Sequence, residues 1–293
     1  MQVALYSRKV SKTNLPYIVE LLNQFKRMGW KPVLEKEFKK QLVKKIGLDT
    51  STLEFTSHKD FVSGIDMVVS LGGDGTFIQS VNYIRDSQVP IIGINTGRLG
   101  FLANVSKESI HDAFEKLQRK QFDYQKRSLL RVETASNHFG DANVALNEVT
   151  VSRKDSSAML TVHASLDNEY MNSYWADGLI ISTPTGSTAY NLACGGPIID
   201  PQCQLHVVTP IAPHNLNVRP IVVPDSTTIT LSVEGRSRNY LLSLDGNSVN
   251  IKQREEVVIR KADFMINMIK LEGHNFLDTI RNKMLWGIDR RNN

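Results

Sequence analysis

IDMVVSLGGDGT, at residues 65–76, is a short apolar run with β-branched side chains that stops at three closely spaced glycines. The run predicts a buried strand, and Thr76 to Arg85 after it has the pattern of a helix. Glycines between the two let the backbone come close to a bulky ligand and adopt positive φ angles without steric cost. A strand that turns directly into a helix is typical of a parallel sheet.

The segments around this unit divide the chain into two halves. In the first half, strands are predicted at Gln2 to Tyr6, Lys31 to Leu34 and Val89 to Ile94, and a helix at Leu15 to Met28. Short apolar strands alternating with helices indicate a parallel sheet covered on both faces. After about Gln125 the segments are short and alternating, which predicts antiparallel sheets; they are LLRVETA, ALNEVTVSR, AMLTVHASL, STTITLSVEG, NYLLSLDGN and EVVIRKA.

The predicted architecture is therefore α/β plus all-β. The α/β domain spans residues 1–125 and is joined by a C-terminal helix within 272–293, since Phe276 to Leu285 has a helical pattern and is expected to pack back on the first half. Residues 126–271 form the all-β domain.

Composition excludes several classes of protein. The net charge of +5 over 293 residues is a mild excess without a basic stripe, so no nucleic-acid partner is expected. The basic run from Lys36 to Lys45 is interpreted as the solvated face of a helix. Neither a membrane-spanning run nor a signal peptide is seen, and the cysteines, Cys194 and Cys203, suit no disulfide framework or zinc site. We expect a cytoplasmic protein with no membrane partner and no metal cluster of its own.

The GGDGT turn is the first candidate site. The N–H groups at the start of the following helix favour phosphate oxygens, so Gly72, Gly73, Gly75 and Thr76 are candidate phosphate contacts. Asp74 would repel phosphate unless it accepts a proton from a hydroxyl or holds a cation; the alternative is a helix cap. A second glycine cluster, Asn95 to Leu102, follows the neighbouring strand and is expected on the same crevice.

The second candidate site is DGLIISTPTGSTAYN, at residues 177–191. Thr188 and Asn191 can hydrogen-bond an adenine edge and Tyr190 can stack on its face; the alternative is a Ser/Thr-rich turn that leads into a helix. Asn147 and Glu148 interrupt a strand on both faces, and an amide beside a carboxylate suits ribose hydroxyls, although an edge strand explains the pair equally well. The Asp-Gly pairs at 177–178 and 245–246 both predict hairpin turns.

Taken together, these motifs resemble those of the NAD kinase family. Three of them match in order: GGDGT at 72–76, LNEV at 146–149 and DGLIISTPTGSTAYNLACGGP at 177–197, with NTGRLGFL and SLDGN in support. The resemblance implies a Rossmann-like N-terminal domain, a C-terminal β-sandwich, and a homo-oligomer, dimer or tetramer. It implies transfer of the γ-phosphoryl group of ATP to the adenosine ribose 2′-hydroxyl of NAD, with Mg²⁺ or another divalent cation arriving with ATP.

The resemblance also implies roles for individual residues. Asp74 is the candidate general base, Gly75 a main-chain contact, and Asn147 and Glu148 hold the ribose. The adenine is enclosed by Thr188, Ala189, Tyr190, Asn191, Leu192 and Ala193, the carboxamide is held by Asp177, and further NAD contacts match Ala212 and Asn247. The chain departs from some relatives at Gln79, Trp175 and Ala193, where a basic residue, Arg and Ser occur.

Two rival functions remain open at this point. A lipid kinase shares the GGDGT turn but is expected to carry a membrane-facing segment, which the sequence lacks. A non-catalytic NAD sensor would keep the TPTGSTAY pocket and tolerate loss of Asp74.

Overall fold

The fold is described from a computed structural model, which covers residues 1–61, 64–154, 159–273 and 275–285. It contains two compact units, one formed by Met1–Lys126 with Ile266–Asn293 and the other by Arg127–Met265. Across these described ranges, no helix is both long enough and apolar enough to cross a membrane.

The first unit begins with alternating strands and helices. These are β1 (Gln2–Tyr6), α1 (Leu15–Arg27), β2 (Lys31–Glu35), α2 (Lys36–Ile46), β3 (Leu53–Phe55), β4 (Met67–Gly72), α3 (Asp74–Ile84), β5 (Ile91–Asn95), β6 (Val105–Ser106), α4 (Ile110–Gln118) and β7 (Phe122–Arg127). In α2, Phe38 and Leu42 are the buried side chains, so most lysines of the basic run point away from the core. The interpretation of that run as a solvated helix face is confirmed.

The second unit is built almost entirely of strands. They are β8 (Leu130–Thr134), β9 (Val144–Ala145), β10 (Glu148–Arg153), β11 (Leu160–Leu166), β12 (Glu169–Ala176), β13 (Gly178–Ser182), the short helix α5 (Tyr190–Ala193), β14 (Leu205–Ile211), β15 (Ile221–Pro224), β16 (Ile229–Gly235), β17 (Asn239–Leu244), β18 (Asn247–Lys252) and β19 (Val257–Lys261). Two six-stranded sheets have the orders β15-β14-β13-β10-β17-β18 and β12-β11-β16-β19-β8-β9. Side chains from both sheets form one apolar core, so the predicted β-sandwich is confirmed.

The chain then returns to the first unit through β20 (Ile266–Leu271) and α6 (Phe276–Met284). The strand order of that sheet is β3-β2-β1-β4-β5-β20-β7, with β6 beside β5. The prediction placed residues 266–271 in the β half, but β20 pairs in parallel with β5 and buries Ile269 and Leu271 in the core of the first unit. This strand belongs to the α/β unit because of a pairing with residues far away in sequence.

The two predicted Asp-Gly hairpins have different outcomes. Asp245 and Gly246 both have positive φ and join the antiparallel pair β17 and β18, so this turn is confirmed. The turn predicted at 177–178 is wrong. There β12 continues across Asp177 into β13, which lies in the other sheet of the sandwich. Gly178 is required because a Cβ there would lie 2.5 Å from the carbonyl oxygen of Val151.

Candidate active site

The GGDGT turn lies at the carboxyl edge of the parallel sheet in the first unit. β4 ends at Gly72, Gly73 is the N-cap of α3, and Asp74 is the first helical residue. Gly72 is in register with Asn95, the last residue of β5, so the two predicted glycine-rich loops start side by side. Open α/β sheets bind ligands at this edge.

The Asp74 carboxylate holds the second of these loops. Its Oδ1 accepts hydrogen bonds from the N–H groups of Leu102 and Ala103, at 3.0 and 2.9 Å, and Oδ2 accepts one from Phe101 at 2.9 Å. Gly100 packs against the same side chain, since a Cβ there would lie 1.9 Å from Oδ1. Because Gly73 occupies the N-cap position and the Asp74 carboxylate bonds to residues 101–103, the interpretation of Asp74 as a simple helix cap is wrong.

The glycines of the turn leave space next to the start of α3. Gly73 and Gly75 are exposed, and a Cβ at Gly73 would meet no atom within 4 Å. The turn does not use the positive φ angles that glycine allows, since Gly73 has φ −112° and no glycine of the turn has positive φ. Gly72 is needed for a different reason, because a Cβ there would lie 2.3 Å from Oγ1 of Thr76.

Thr76 is the least accessible of the predicted phosphate contacts. It is buried, and its N–H group donates to the carbonyl of Gly73. The N–H groups of Asp74 and Gly75 stand earlier in the helix, before its hydrogen-bond ladder begins. The exposed backbone of Gly73 to Gly75 is therefore the part of the turn that can meet an anion.

Arg8 is a basic residue at this edge that the sequence patterns did not reveal. It is exposed, just beyond the end of β1, and its Nη1 lies 3.8 Å from the position that a Cβ on Gly75 would occupy. The signal that could have found it is its place two residues after a strand that pairs with β4. Gln79, one turn into α3, accepts a hydrogen bond from the Tyr6 hydroxyl at 2.9 Å.

In the second unit, Asp245 fixes the segment that carries Asn147 and Glu148. Its carboxylate accepts the consecutive N–H groups of Leu146, Asn147 and Glu148, at 2.6, 2.8 and 3.0 Å. Burial nevertheless raises the pKa of Asp245 to about 6. The sequence predicted only the turn here, so this holding role of Asp245 was missed. The sequence signal for this role was an acidic residue, in the SLDGN motif, directly after a buried strand.

Glu148 is a carboxylate in surroundings that disfavour its charge. Burial, followed by the charge of Asp245, raises the pKa of Glu148 to about 8, against a hydrogen bond from the backbone of Tyr190. Its Oε2 is buried and has no hydrogen-bond partner among the described residues. The raised pKa favours the protonated carboxyl of Glu148, which can both donate to and accept from a ligand hydroxyl.

The hydroxyl-rich loop after β13 uses most of its polar groups internally. The Thr183 hydroxyl donates to the Leu146 carbonyl at 2.6 Å, and that of Ser187 donates to the Pro184 carbonyl at 2.7 Å. Ser182, Thr183 and Ser187 are fully buried. Gly186 packs on the backbone of Asn147, because a Cβ there would lie 2.1 Å from that residue's carbonyl oxygen. The loop thus rests directly on the Asn147–Glu148 segment.

The Asn191 side chain lies inside the loop. Its side chain is fully buried, its amide nitrogen donates to the carbonyls of Ser187 and Pro197, and its oxygen accepts from the Thr209 hydroxyl at 2.6 Å. A side chain with these partners supports the loop, and the contact of Asn191 with an adenine edge stays a prediction. Gly196 is required beside it, since a Cβ there would lie 2.0 Å from the Asn191 oxygen.

The accessible part of this loop is its middle. Tyr190 is 44% exposed, Thr188, Ala189 and Leu192 are half-buried, and Ala193 is exposed. Glu148 and Asp177 are both near enough to raise the pKa of Tyr190, although burial is the larger cause. The structure therefore brings Glu148, Asp177 and the accessible loop residues together within the second unit.

Asp177 forms an ion pair with Arg153 at 2.8 Å, and its N–H group donates to the Ile211 carbonyl. This places it next to Ala212, which is exposed with φ +44°. Asn247 is exposed at the start of β18, two residues after Asp245. Trp175 is 55% exposed and its ring contacts that of His214.

Comparison with known proteins adds family information to this geometry. The sequence matches two family profiles, described as the ATP-NAD kinase N-terminal domain, over residues 4–122, and the ATP-NAD kinase C-terminal domain, over residues 146–271. A curated NAD kinase of Flavobacterium psychrophilum is 45% identical over 294 residues, which cover 100% of both chains. One of Bacteroides fragilis is 39% identical over 291 residues, covering 99% of this chain and 100% of the relative.

Solved structures have the same fold. Yeast NADH kinase complexed with NADH superposes with a TM-score of 0.86 at 21% identity, covering 98% of this chain and 88% of that one. An NAD kinase from Archaeoglobus fulgidus in complex with ATP gives 0.73 at 24% identity, covering 97% of each chain. At these identities the structural similarity establishes the fold alone.

Proposed function

Because the chain belongs to the ATP-NAD kinase family, we propose that it transfers the γ-phosphoryl group of ATP to the 2′-hydroxyl of the adenosine ribose of NAD, with Asp74 as the general base. The observation that carries the assignment of the base is the fixed carboxylate at the carboxyl edge of the sheet, beside an open helix N-terminus. Such an arrangement places a proton acceptor next to a site for phosphate.

Asp74 has one free position for the substrate. A carboxylate offers about four lone pairs, and three are taken by backbone N–H groups, two of them on Oδ1. Oδ2 is therefore the oxygen that accepts the ribose hydroxyl. Since a loose phosphoryl-transfer transition state needs positioning more than a strong base, Asp74 orients the hydroxyl and takes its proton late.

The triphosphate of ATP would lie on the exposed backbone of Gly73 and Gly75, with the Arg8 guanidinium beside it. Within the described part of the chain, no group of three or more His, Cys, Asp or Glu side chains could hold a metal ion. Mg²⁺ would then be held mainly by phosphate oxygens, with Asp74 as the nearest carboxylate of the turn. The chemical contribution of Mg²⁺ would be to neutralise the charge on the phosphates.

NAD would contact the second unit through its adenosine and its carboxamide. Asn147 and Glu148 suit the ribose, because the protonated Glu148 carboxyl can pair with a hydroxyl and its Oε2 needs a partner. Tyr190 offers an exposed ring for stacking on adenine, beside Thr188 and Ala189. We also propose that Asp177 binds the carboxamide, that Leu192 and Ala193 help to enclose the adenine, and that Ala212 and Asn247 make further contacts with NAD.

A homo-oligomer is also proposed, a dimer or a tetramer. The edge strand β15 exposes Ile221 and Val222, and the second unit also exposes Trp175 and Leu216, the latter at 88%. Apolar side chains at an exposed sheet edge support self-association. The unpaired thiols of Cys194 and Cys203 support a cytoplasmic location.

One assay tests the activity directly. Purified protein is mixed with ATP, Mg²⁺ and NAD, and NADP is measured with an NADP-specific dehydrogenase, while diacylglycerol replaces NAD in a parallel reaction. We expect NADP to form with NAD and no phosphorylated lipid to form with diacylglycerol. Phosphorylation of the lipid alone would favour the lipid kinase, and tight NAD binding without turnover would favour the sensor.

A further inference from the structure

The C-terminal helix contacts the loop that holds Asp74. The ring of Phe276, the first residue of α6, lies 6.3 Å from that of Phe101 between centroids, and Lys283 Nζ lies 4.6 Å above the Phe101 ring. Asn275 caps the helix by accepting the N–H of Asp278 at 2.7 Å, and Ile280 is its buried anchor. Phe101 therefore lies against a helix that is itself capped and anchored.

The three donors to Asp74 are held in different ways. Leu102 and Ala103, the donors to Oδ1, are 3% and 1% exposed, so burial in the first unit fixes them. Phe101, the donor to Oδ2, is only half-buried, and α6 supplies its ring contacts. Oδ2, the Asp74 oxygen that can still accept the substrate hydroxyl, therefore depends on Phe101, the donor that α6 holds in place.

We propose that Phe276 and Lys283 are positioning residues, which act through Phe101 to aim Oδ2 of Asp74 at the acceptor hydroxyl. This inference rests on the proposed role of Asp74. A displacement of about 1 Å in a reacting group can cost up to about a hundredfold in rate. Loss of one of the two ring contacts should therefore lower kcat without removing the base.

The test uses the full-length protein with Phe276→Ala, the conservative variant Phe276→Leu and the control Leu277→Ala, which removes a side chain that is 61% exposed on the same helix. For Phe276→Ala we expect kcat to fall about tenfold, less than the roughly 10²–10⁴-fold effect of losing a general base. The KM for NAD stays within about twofold, because neither Phe276 nor Phe101 is a predicted NAD contact and Asp74 itself is retained. Phe276→Leu recovers most of the rate, and Leu277→Ala matches the parent.

Amide hydrogen exchange supplies a readout that does not depend on activity. In Phe276→Ala the Phe101 amide should exchange at least tenfold faster, while the Leu102 and Ala103 amides keep their protection. An unchanged kcat, or an unchanged Phe101 amide, overturns the positioning role. A near-normal kcat in Asp74→Asn would instead refute the assignment of Asp74 as the general base. The exchange rate of the Phe101 amide in Phe276→Ala would then still show whether α6 holds the loop.

Discussion

Glu148→Gln tests the unusual charge state of the proposed ribose site. The substitution keeps the shape of the side chain and removes its ionisation. In the parent protein, burial and the neighbouring Asp245 raise the pKa of Glu148 from 4.5 to about 8. Because the folded pKa lies above the unfolded one, the stabilising effect of protonated Glu148 is fully present below pH 4.5 and is lost as pH rises toward 8.

The size of the effect follows from these two values. A difference of one pKa unit corresponds to about 1.4 kcal/mol. The unfolded Glu148 carboxylate is ionised at both pH 6 and pH 9, so folding must either protonate it or bury its charge. For a folded pKa of about 8 this costs about 2 kcal/mol of stability at pH 6 and about 5 kcal/mol at pH 9. Glu148→Gln removes this cost, so its advantage over the parent should grow by about 3 kcal/mol between these pH values.

The assay is urea unfolding at pH 6 and pH 9, followed by the fluorescence of Trp175 with Trp30 and Trp286 replaced by Phe, so that the signal reports on the second unit. Glu169→Gln, at an exposed carboxylate of the same unit, serves as the control and should show no such trend. If the advantage of Glu148→Gln changed by less than about 0.5 kcal/mol, within the range of ordinary surface substitutions, the account of Glu148 as mainly neutral would be wrong.

Three further changes have defined outcomes. Arg8→Ala should raise the KM for ATP about tenfold in steady-state kinetics, through the loss of one charge-assisted phosphate contact, and leave the KM for NAD unchanged. The control is Lys9→Ala, at the exposed neighbouring residue, and equal behaviour of the two variants would refute the Arg8 contact. Asp245→Ala leaves the N–H groups of residues 146–148 without their acceptor, so NAD should bind at least tenfold more weakly by calorimetry, and unchanged affinity would remove its holding role. Burial lowers the pKa of His206 from 6.5 to about 4, so His206 should reduce the free energy of unfolding by about 3 kcal/mol as pH falls from 6.5 to 4. His206→Leu should lose less stability over this pH range in acid unfolding, and an equal loss in the parent and the variant would refute this.

Local patterns predicted the elements that local physics decides. The strand and helix around the GGDGT turn follow from periodicity and from glycines at a boundary, and α3 differs from the prediction by two residues at its start. The Asp245–Gly246 hairpin follows from the positive φ angles that its turn requires. The same dipeptide at Asp177 marks a crossing between sheets instead, where Gly178 packs closely on the Val151 carbonyl.

Long-range contacts decided what the sequence patterns left out. The backbone partners of Asp74 lie 27 to 29 residues away, and those of Asp245 lie 97 to 99 residues away. Neither set has a periodic signal along the chain. The place of β20 in the parallel sheet depends in the same way on its pairing with β5.

The hydroxyl-rich loop shows a further limit of sequence reasoning. Its density of Ser, Thr and Asn indicated a ligand site, but the direction of each side chain is set by the fold. Thr183, Ser187 and Asn191 point into the loop and satisfy its backbone, while Tyr190 stays exposed. Composition alone does not separate the residues that build such a pocket from those that line it.

The kinetics of Asp74→Asn, with NAD affinity measured by calorimetry on the same preparation, test the central claim most directly. An amide cannot take up the proton and offers one acceptor oxygen to the three N–H groups that the carboxylate holds. We expect kcat to fall by about 10²–10⁴-fold, the usual effect of losing a general base, with the Kd for NAD within about threefold of the parent. A kcat within fivefold of the parent value would contradict the assignment of Asp74.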